Sequence, residues 1–212
     1  MPTLSEAESK SLLASFGVPV VPDRLATDPE GALAAAAEFD GPVAVKLCGA
    51  GIAHKTERGL VRLGVEGEAV GRAAADLLAA ARPTDGAVGV LVAPMVRGTR
   101  ELIAGLHRDG QFGMTVMLGI GGVLAEALGD VAFRLVPLEP VDAAELIEDL
   151  ATQSLLGAFR GEPAVDRDAL AGVLLGLSRA AEAHPEILSA DVNPLVVVDG
   201  RPVAVDALVE TS

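Results

Sequence analysis

Tryptophan and tyrosine are absent from this chain of 212 residues, and phenylalanine occurs only five times. Any core it builds must therefore be aliphatic. A single cysteine, Cys48, excludes an intramolecular disulfide and a multi-cysteine zinc site, and is the usage expected of a reducing compartment. Basic residues are scarce: 16 Lys and Arg stand against 30 Asp and Glu, a formal charge of −14. That balance repels phosphate backbones and anionic bilayers, so no nucleic-acid or membrane partner is expected, although a small basic pocket for a nucleotide stays open. No run of about 18 apolar residues occurs. The N-terminus, MPTLSEAESK, is polar and acidic where a signal peptide is basic and then apolar, which points to a cytoplasmic protein. Three familiar signatures are also missing. There is no GxxxxGK[ST], a GxGxxG starting at Gly119 fails at Leu124, and His107-Arg108-Asp109 lacks the Asn and DFG that a kinase needs.

What is present suits one globular α/β chain: 50% hydrophobic residues, 22% charged residues and 24 glycines. Ser5 and Glu8 form a capping box before the apolar positions Leu12, Leu13 and Phe16, and Gly17 supplies a stop. Strands are expected around Val18 to Val21, Val43 to Leu47, Leu60 to Val65, Val88 to Val92, Glu101 to Leu106 and Ala132 to Val136. Helices are expected from Asp28 to about Phe39, Glu68 to Ala81, Asp142 to Leu150 and Asp168 to Ala183. Glycines at 110, 113, 119, 121 and 122 mark a stretch where backbone is expected to lie close to something or to turn sharply, and Gly161 to Asp166 resembles a linker. The last 25 residues have the pattern of a β-hairpin.

That hairpin carries chemistry. Asp199-Gly200 is a favoured two-residue type I′ turn, pairing Val198 with Arg201 so that facing residues sum to 399. Asn193 and Asp206 meet this sum, which sets a carboxylate opposite an amide carbonyl. Such a pair suits one hard cation, with Mg²⁺ completed by substrate phosphates and water. Two alternatives stand beside it: a solvated edge hairpin, and a one-residue register shift if Pro194, which has no N–H, forces a bulge. A second group begins at Lys46, at the end of the apolar strand PVAVK, whose ammonium suits phosphate oxygens. The loop after it carries His54, either a nucleophile able to ferry a phosphoryl group or an ordinary loop histidine.

The strings SEAESKSLLASFGVPV, PVAVKLCGAGIAHKTERG, MVRGTRELIAGLHRDGQFG, GIGGVLAEALGDVAFRLVPL and ADVNPLVV appear in this order along the chain. In them the chain resembles the ATP-grasp β subunit of ADP-forming acyl-CoA synthetases, a group related to the nucleotide-binding subunit of succinyl-CoA ligase. The resemblance implies an ATP-grasp fold of two α+β lobes, one of about residues 17–97 and one of residues 1–16 with 98–212. It implies a reversible reaction in which acyl-CoA, ADP and phosphate give acid, CoA and ATP. A separate α subunit or domain would bear the CoA site and a phosphohistidine.

Carried over residue by residue, the resemblance gives Lys46 a contact with the nucleotide phosphates and makes Ala93, Pro94, Met95 and Val96 the hinge whose backbone reads adenine. Glu101 would position the ribose or phosphate end, Asn193 and Asp206 would hold Mg²⁺, and His54 of the HKTE string would accept the phosphoryl group and pass it to ADP. Asp191, on the face of Asn193, would contact the incoming phosphohistidine loop. Two positions depart from the family pattern. Glu57 is followed by Arg58, Gly59 and Leu60 where two glycines are usual, and position 208 is Leu where an arginine is common. These departures leave a second function open, a non-catalytic nucleotide-sensing module such as that of a protein acyltransferase. A stand-alone carboxylate ligase is a third.

Overall fold

Helix α1 (Glu6–Ser15) starts where the capping box requires. The Ser5 amide and hydroxyl donate to Glu8 Oε2 at 2.9 and 2.7 Å, and the Glu8 amide reaches back to Ser5 Oγ at 3.4 Å. Gly17, at φ +89°, ends the turn that follows. The computed structural model describes residues 2–52, 55–122, 129–158 and 161–212. These divide into two units, one of Pro2–Glu8 and Val21–Met95, the other of Ser9–Val20 and Val96–Ser212. No helix among the described residues is long and apolar enough to cross a membrane.

The first unit is a four-stranded antiparallel sheet in the order β1-β4-β2-β3, formed by β1 (Arg24–Ala26), β2 (Val43–Gly49), β3 (Val61–Val65) and β4 (Ala87–Pro94). Helices α2 (Pro29–Ala36) and α3 (Ala69–Ala79) supply Ala32, Ala35, Val70, Ala74 and Leu77 to a core with Val43, Val45, Leu47, Val90 and Val92. Strand β2 is buried at all seven positions, so its second face, Ala44, Lys46 and Cys48, is covered as well.

The second unit is a six-stranded antiparallel sheet. Strands β10 (Ala207–Thr211), β8 (Ile187–Val198), β5 (Arg100–Asp109), β6 (Gly113–Ile120) and β7 (Val131–Leu135) run in that order, and β9 (Arg201–Ala204) also pairs with β8. Helices α4 (Pro140–Glu148) and α5 (Arg167–Ala183) pack on it. Leu170, Val173, Leu174 and Leu177 of α5 are fully buried, as are Ala104, Val116 and Leu118 of the sheet. A Cβ at Gly176 would lie 3.0 Å from the Phe16 carbonyl oxygen, so α5 approaches the Phe16–Val18 backbone closely because this position lacks a side chain.

One expectation is corrected. Val18 to Val21 is not a strand: Pro19 and Pro22 offer no N–H, and among the described residues it forms one parallel bridge, between Val20 and Ala204. The glycine-rich stretch contains β6, paired residue for residue with β5 from Leu102↔Ile120 to Asp109↔Gly113, and the close approach expected there occurs at Gly119 and Gly121, where an added Cβ would lie 2.7 Å from Val131 and 3.1 Å from the Glu101 backbone.

Candidate active site

In the first unit, Lys46 leaves β2 on the face away from the α2–α3 core and is 6% exposed. Its Nζ lies 2.7 Å from Glu6 Oε1, and Lys55 Nζ is paired with the other oxygen, Glu6 Oε2. Burial pushes the Glu6 carboxyl upward, but the Lys46 and Lys55 charges outweigh it and hold the group below its ordinary range. The Cys48 thiol is pushed up, first by burial, with the Glu6 carboxylate adding to the shift.

The loop from Gly49 to Leu60 is fastened at its base. Gly51 N–H donates to the Asp85 carbonyl at 2.9 Å, the Leu60 amide bonds to the Lys55 carbonyl, and the Leu60 side chain joins the α2–α3 core. Cβ atoms at Gly49 or Gly51 would collide with the Thr84–Gly86 backbone, which explains the two glycines. Arg58 closes the loop with two bonds to Asp85. His54 lies outside the described residues. On β4, Ala93 pairs with Ala44, Pro94 pairs with Val43, and the Met95 amide donates to the Pro42 carbonyl at 3.1 Å. Val96, the last residue of the expected hinge, belongs to the second unit.

In the second unit the hairpin has the derived register. Val198↔Arg201 through Leu195↔Ala204 sum to 399, and the sum returns from Val192↔Ala207 through Ser189↔Glu210. Asp199 and Gly200 both have positive φ, as a type I′ turn requires. Between the two ladders each strand contributes two residues, Asn193 and Pro194 against Val205 and Asp206, and Val205 N–H donates to the Pro194 carbonyl at 3.0 Å. The irregularity expected at Pro194 falls instead toward β5, where β8 uses two residues against the single Ile103. The hairpin register is therefore unshifted, with Asn193 and Asp206 at matching positions.

Asp191 and Asn193 are exposed, and Asp206 is half-buried. Although the residue as a whole is open to solvent, loss of hydration among neighbouring groups, and then the Asp206 carboxylate, push the Asp191 carboxyl upward. Gly105 pairs with Asp191, so Glu101, four residues along the same unbroken strand, shares that face of the sheet.

Residues 2–211 match the ATP-grasp domain family. The chain belongs to the ATP-grasp family. It is 35% identical over 208 residues to the β subunit of acetate–CoA ligase [ADP-forming] I of Pyrococcus furiosus, covering 96% of this chain and 90% of that subunit. It is 36% identical over 203 residues to acetate–CoA ligase [ADP-forming] I of Archaeoglobus fulgidus, covering 94% of this chain but 30% of that longer protein. Among solved structures it superposes with a TM-score of 0.91 and 34% identity on acetyl-coenzyme A synthetase 1 of Ca. Korarchaeum cryptofilum in complex with coenzyme A, Ca-AMPCP and HgCl⁺. That match covers all of this chain and 94% of the other. A structure of the same synthetase with coenzyme A and Mg-AMPPCP, its phosphohistidine segment pointing towards the nucleotide binding site, matches at TM-score 0.82 and 34% identity, covering 98% and 92%. This ATP-grasp chain is thus of the β-subunit type found in ADP-forming acyl-CoA ligases, as a separate chain or as part of a longer one.

Such a chain implies a divalent cation, and the residues of its hairpin fit one. Asp206 and Asn193 offer hard oxygen donors, and the Asp206 carboxylate acts on Asp191 as a second negative charge close by. No group of three His, Cys, Asp or Glu side chains able to hold a metal ion forms among the described residues, so a cation there needs ligands from elsewhere.

Both departures from the family pattern acquire a physical account in this ATP-grasp chain. Arg58 is matched by Asp85, and Leu60 is a core residue that ends the loop. Leu208 pairs directly with Asp191, so an arginine there would have faced that carboxylate. Two residues escaped the sequence reading. Glu6 looks like an acid favoured at a helix N-terminus, and Asp85 looks like a turn residue. No local signal joins Glu6 to Lys46 across 40 positions, or Asp85 to Arg58 across 27.

Proposed function

We propose that this chain is the nucleotide-binding β subunit of an ADP-forming acyl-CoA synthetase, catalysing acid + CoA + ATP ⇌ acyl-CoA + ADP + phosphate with an α chain or domain. The α part supplies the CoA site and the first phosphohistidine. The observation that carries this reading is the hairpin register, held on both sides of the break at Asn193 and Asp206. An amide and a carboxylate at matching positions form a half-built cation site that a nucleotide's phosphates complete.

In this reading residues 17–97 and residues 1–16 with 98–212, approximately, are the two lobes of one ATP-grasp domain. Lys46 binds phosphate oxygens, and the backbone from Ala93 through Pro94 and Met95 to Val96 reads the adenine. Glu101 orients the ribose or phosphate end. Asn193 and Asp206 hold Mg²⁺, which when bound neutralises phosphate charge. Asp191 meets the phosphohistidine loop of the α part, and His54 carries the phosphoryl group on to ADP. In that last transfer the N–P bond breaks, its electron pair stays on the imidazole, and a β-phosphate oxygen of ADP forms the new O–P bond. The lone buried thiol of Cys48 suits a cytoplasmic setting.

The test is turnover with and without the α partner. The purified chain is expected to be inactive alone and active when the partner is added, with acid-labile, alkali-stable label from ATP on this chain. His54→Asn is expected to remove label and turnover while leaving nucleotide affinity intact. Turnover by the chain alone favours a stand-alone ligase. Nucleotide binding with no turnover beside any α partner favours the sensing module.

A further inference from the structure

Only three of the 16 basic residues are lysines, and none is exposed. Lysine is ordinarily among the most exposed residue types, so in this chain arginine does the surface work and lysine is kept for enclosed positions. Two of the three, Lys46 from β2 and Lys55 from the loop after it, meet on one carboxylate. Their side chains are 7% and 13% exposed, and that of Glu6 is 3% exposed. Glu6 gives one oxygen to each ammonium. Two ammonium groups enclosed together repel one another, and a carboxylate bonded to both offsets that repulsion and sets their geometry.

We propose that Glu6 is a positioning residue whose carboxylate bridges Lys46 and Lys55 and holds them as one cationic pair for the phosphates of a nucleotide. The proposal rests on the reading that Lys46 contacts those phosphates. Glu6 is not a placeholder that phosphate displaces. It sits in the first turn of α1, enclosed and pinned by the Ser5–Glu8 capping box, whereas a displaced carboxylate needs a route to solvent. An ammonium has three N–H donors, so one bond from each lysine to Glu6 does not by itself occupy the group. Because Lys55 follows His54 in the chain, the same carboxylate also ties the loop to β2.

The experiment uses the chain labelled with ¹⁵Nζ-lysine, in which three lysines give at most three ammonium signals. Enclosed, hydrogen-bonded ammonium groups exchange protons slowly, so Lys46 and Lys55 are expected to be visible in the wild type. Glu6→Gln is expected to lose at least one of these signals and to weaken Mg-ADP binding about tenfold, the scale of one charge-assisted hydrogen bond. Glu6→Asp, which keeps the charge but is one methylene shorter, is expected to recover most of the affinity. It also covers the case in which Glu6→Gln does not fold. Tighter Mg-ADP binding in Glu6→Gln overturns the proposal, because the carboxylate would then be competing with the phosphates. Unchanged ammonium signals in Glu6→Gln overturn it as well, even if Lys46→Met weakens binding. If Lys46→Met binds Mg-ADP as the wild type does, the phosphate reading fails and the role of Glu6 toward nucleotide falls with it.

Discussion

Arg58 and Asp85 meet through two parallel bonds, Nη1 to Oδ1 and Nη2 to Oδ2, each 2.9 Å long. This fork-to-fork geometry is the most directional that an arginine and a carboxylate can form. It fastens the far end of the loop that leaves β2 to the short helical turn Pro83–Asp85, against which Gly49 and Gly51 also press. An arginine where the family usually has glycine is thereby accommodated by a partner 27 residues away.

Arg58→Ala is expected to slow phosphoryl transfer by about tenfold or more and to weaken nucleotide affinity less than that, because it loosens the loop carrying His54 and Lys55 while Lys46 stays on β2. The Arg58 guanidinium and the Arg82 amide hold the Asp85 carboxyl below its ordinary value, so the pair stabilises the fold above that value and the contribution fades as pH falls through the depressed one. The melting-temperature gap between wild type and Arg58→Ala should therefore be present at pH 7 and shrink in strong acid. An equal gap at both pH values would show that lost packing, not the ion pair, is being measured.

Gly51→Ala is expected to destabilise the chain by about 2 kcal/mol or more, since its Cβ would overlap the Thr84 carbonyl oxygen and nothing flexible can yield. Gly110→Ala is the control, with no atom within 4 Å of the added carbon, and is expected to stay within about 0.5 kcal/mol of wild type. Urea titration of both variants decides the matter.

Asp206→Ala is expected to remove most Mg²⁺-dependent nucleotide binding, and Asn193→Asp to create weak Mg²⁺ binding without nucleotide by adding a second carboxylate to the pair. Calorimetry with Mg²⁺ alone and with Mg-ADP separates the effects. Equal Mg-ADP affinity in Asp206→Ala would sink the metal assignment.

Leu208→Arg places a guanidinium opposite Asp191 on the neighbouring strand. A cross-strand pair of opposite charge is worth about 0.2–1 kcal/mol, so a small gain in stability is expected, reduced by added salt. A loss, or a gain indifferent to salt, would show that Leu208 matters chiefly through its half-buried apolar contact.

Much of this protein was legible in the chain because the determinants are local. Ser5 and Glu8 lie three residues apart and start α1 by hydrogen bonds that need nothing else. Asp199-Gly200 takes up the positive φ values of a tight turn, and the register of β8 on β9 and β10 follows by counting. Tertiary structure decided what depends on distant partners or on backbone supply. Val18 to Val21 has strand composition, but prolines at 19 and 22 deny it a ladder. The glycine-rich stretch around β6 becomes regular because β5 and β7 pair with it on either side. Lys46 could be recognised as a buried-strand lysine from its neighbours. That its charge is shared with Lys55 through Glu6 was decided only when α1 and β2 were brought together, since an enclosed charge must find its counter-charge in space and not along the chain.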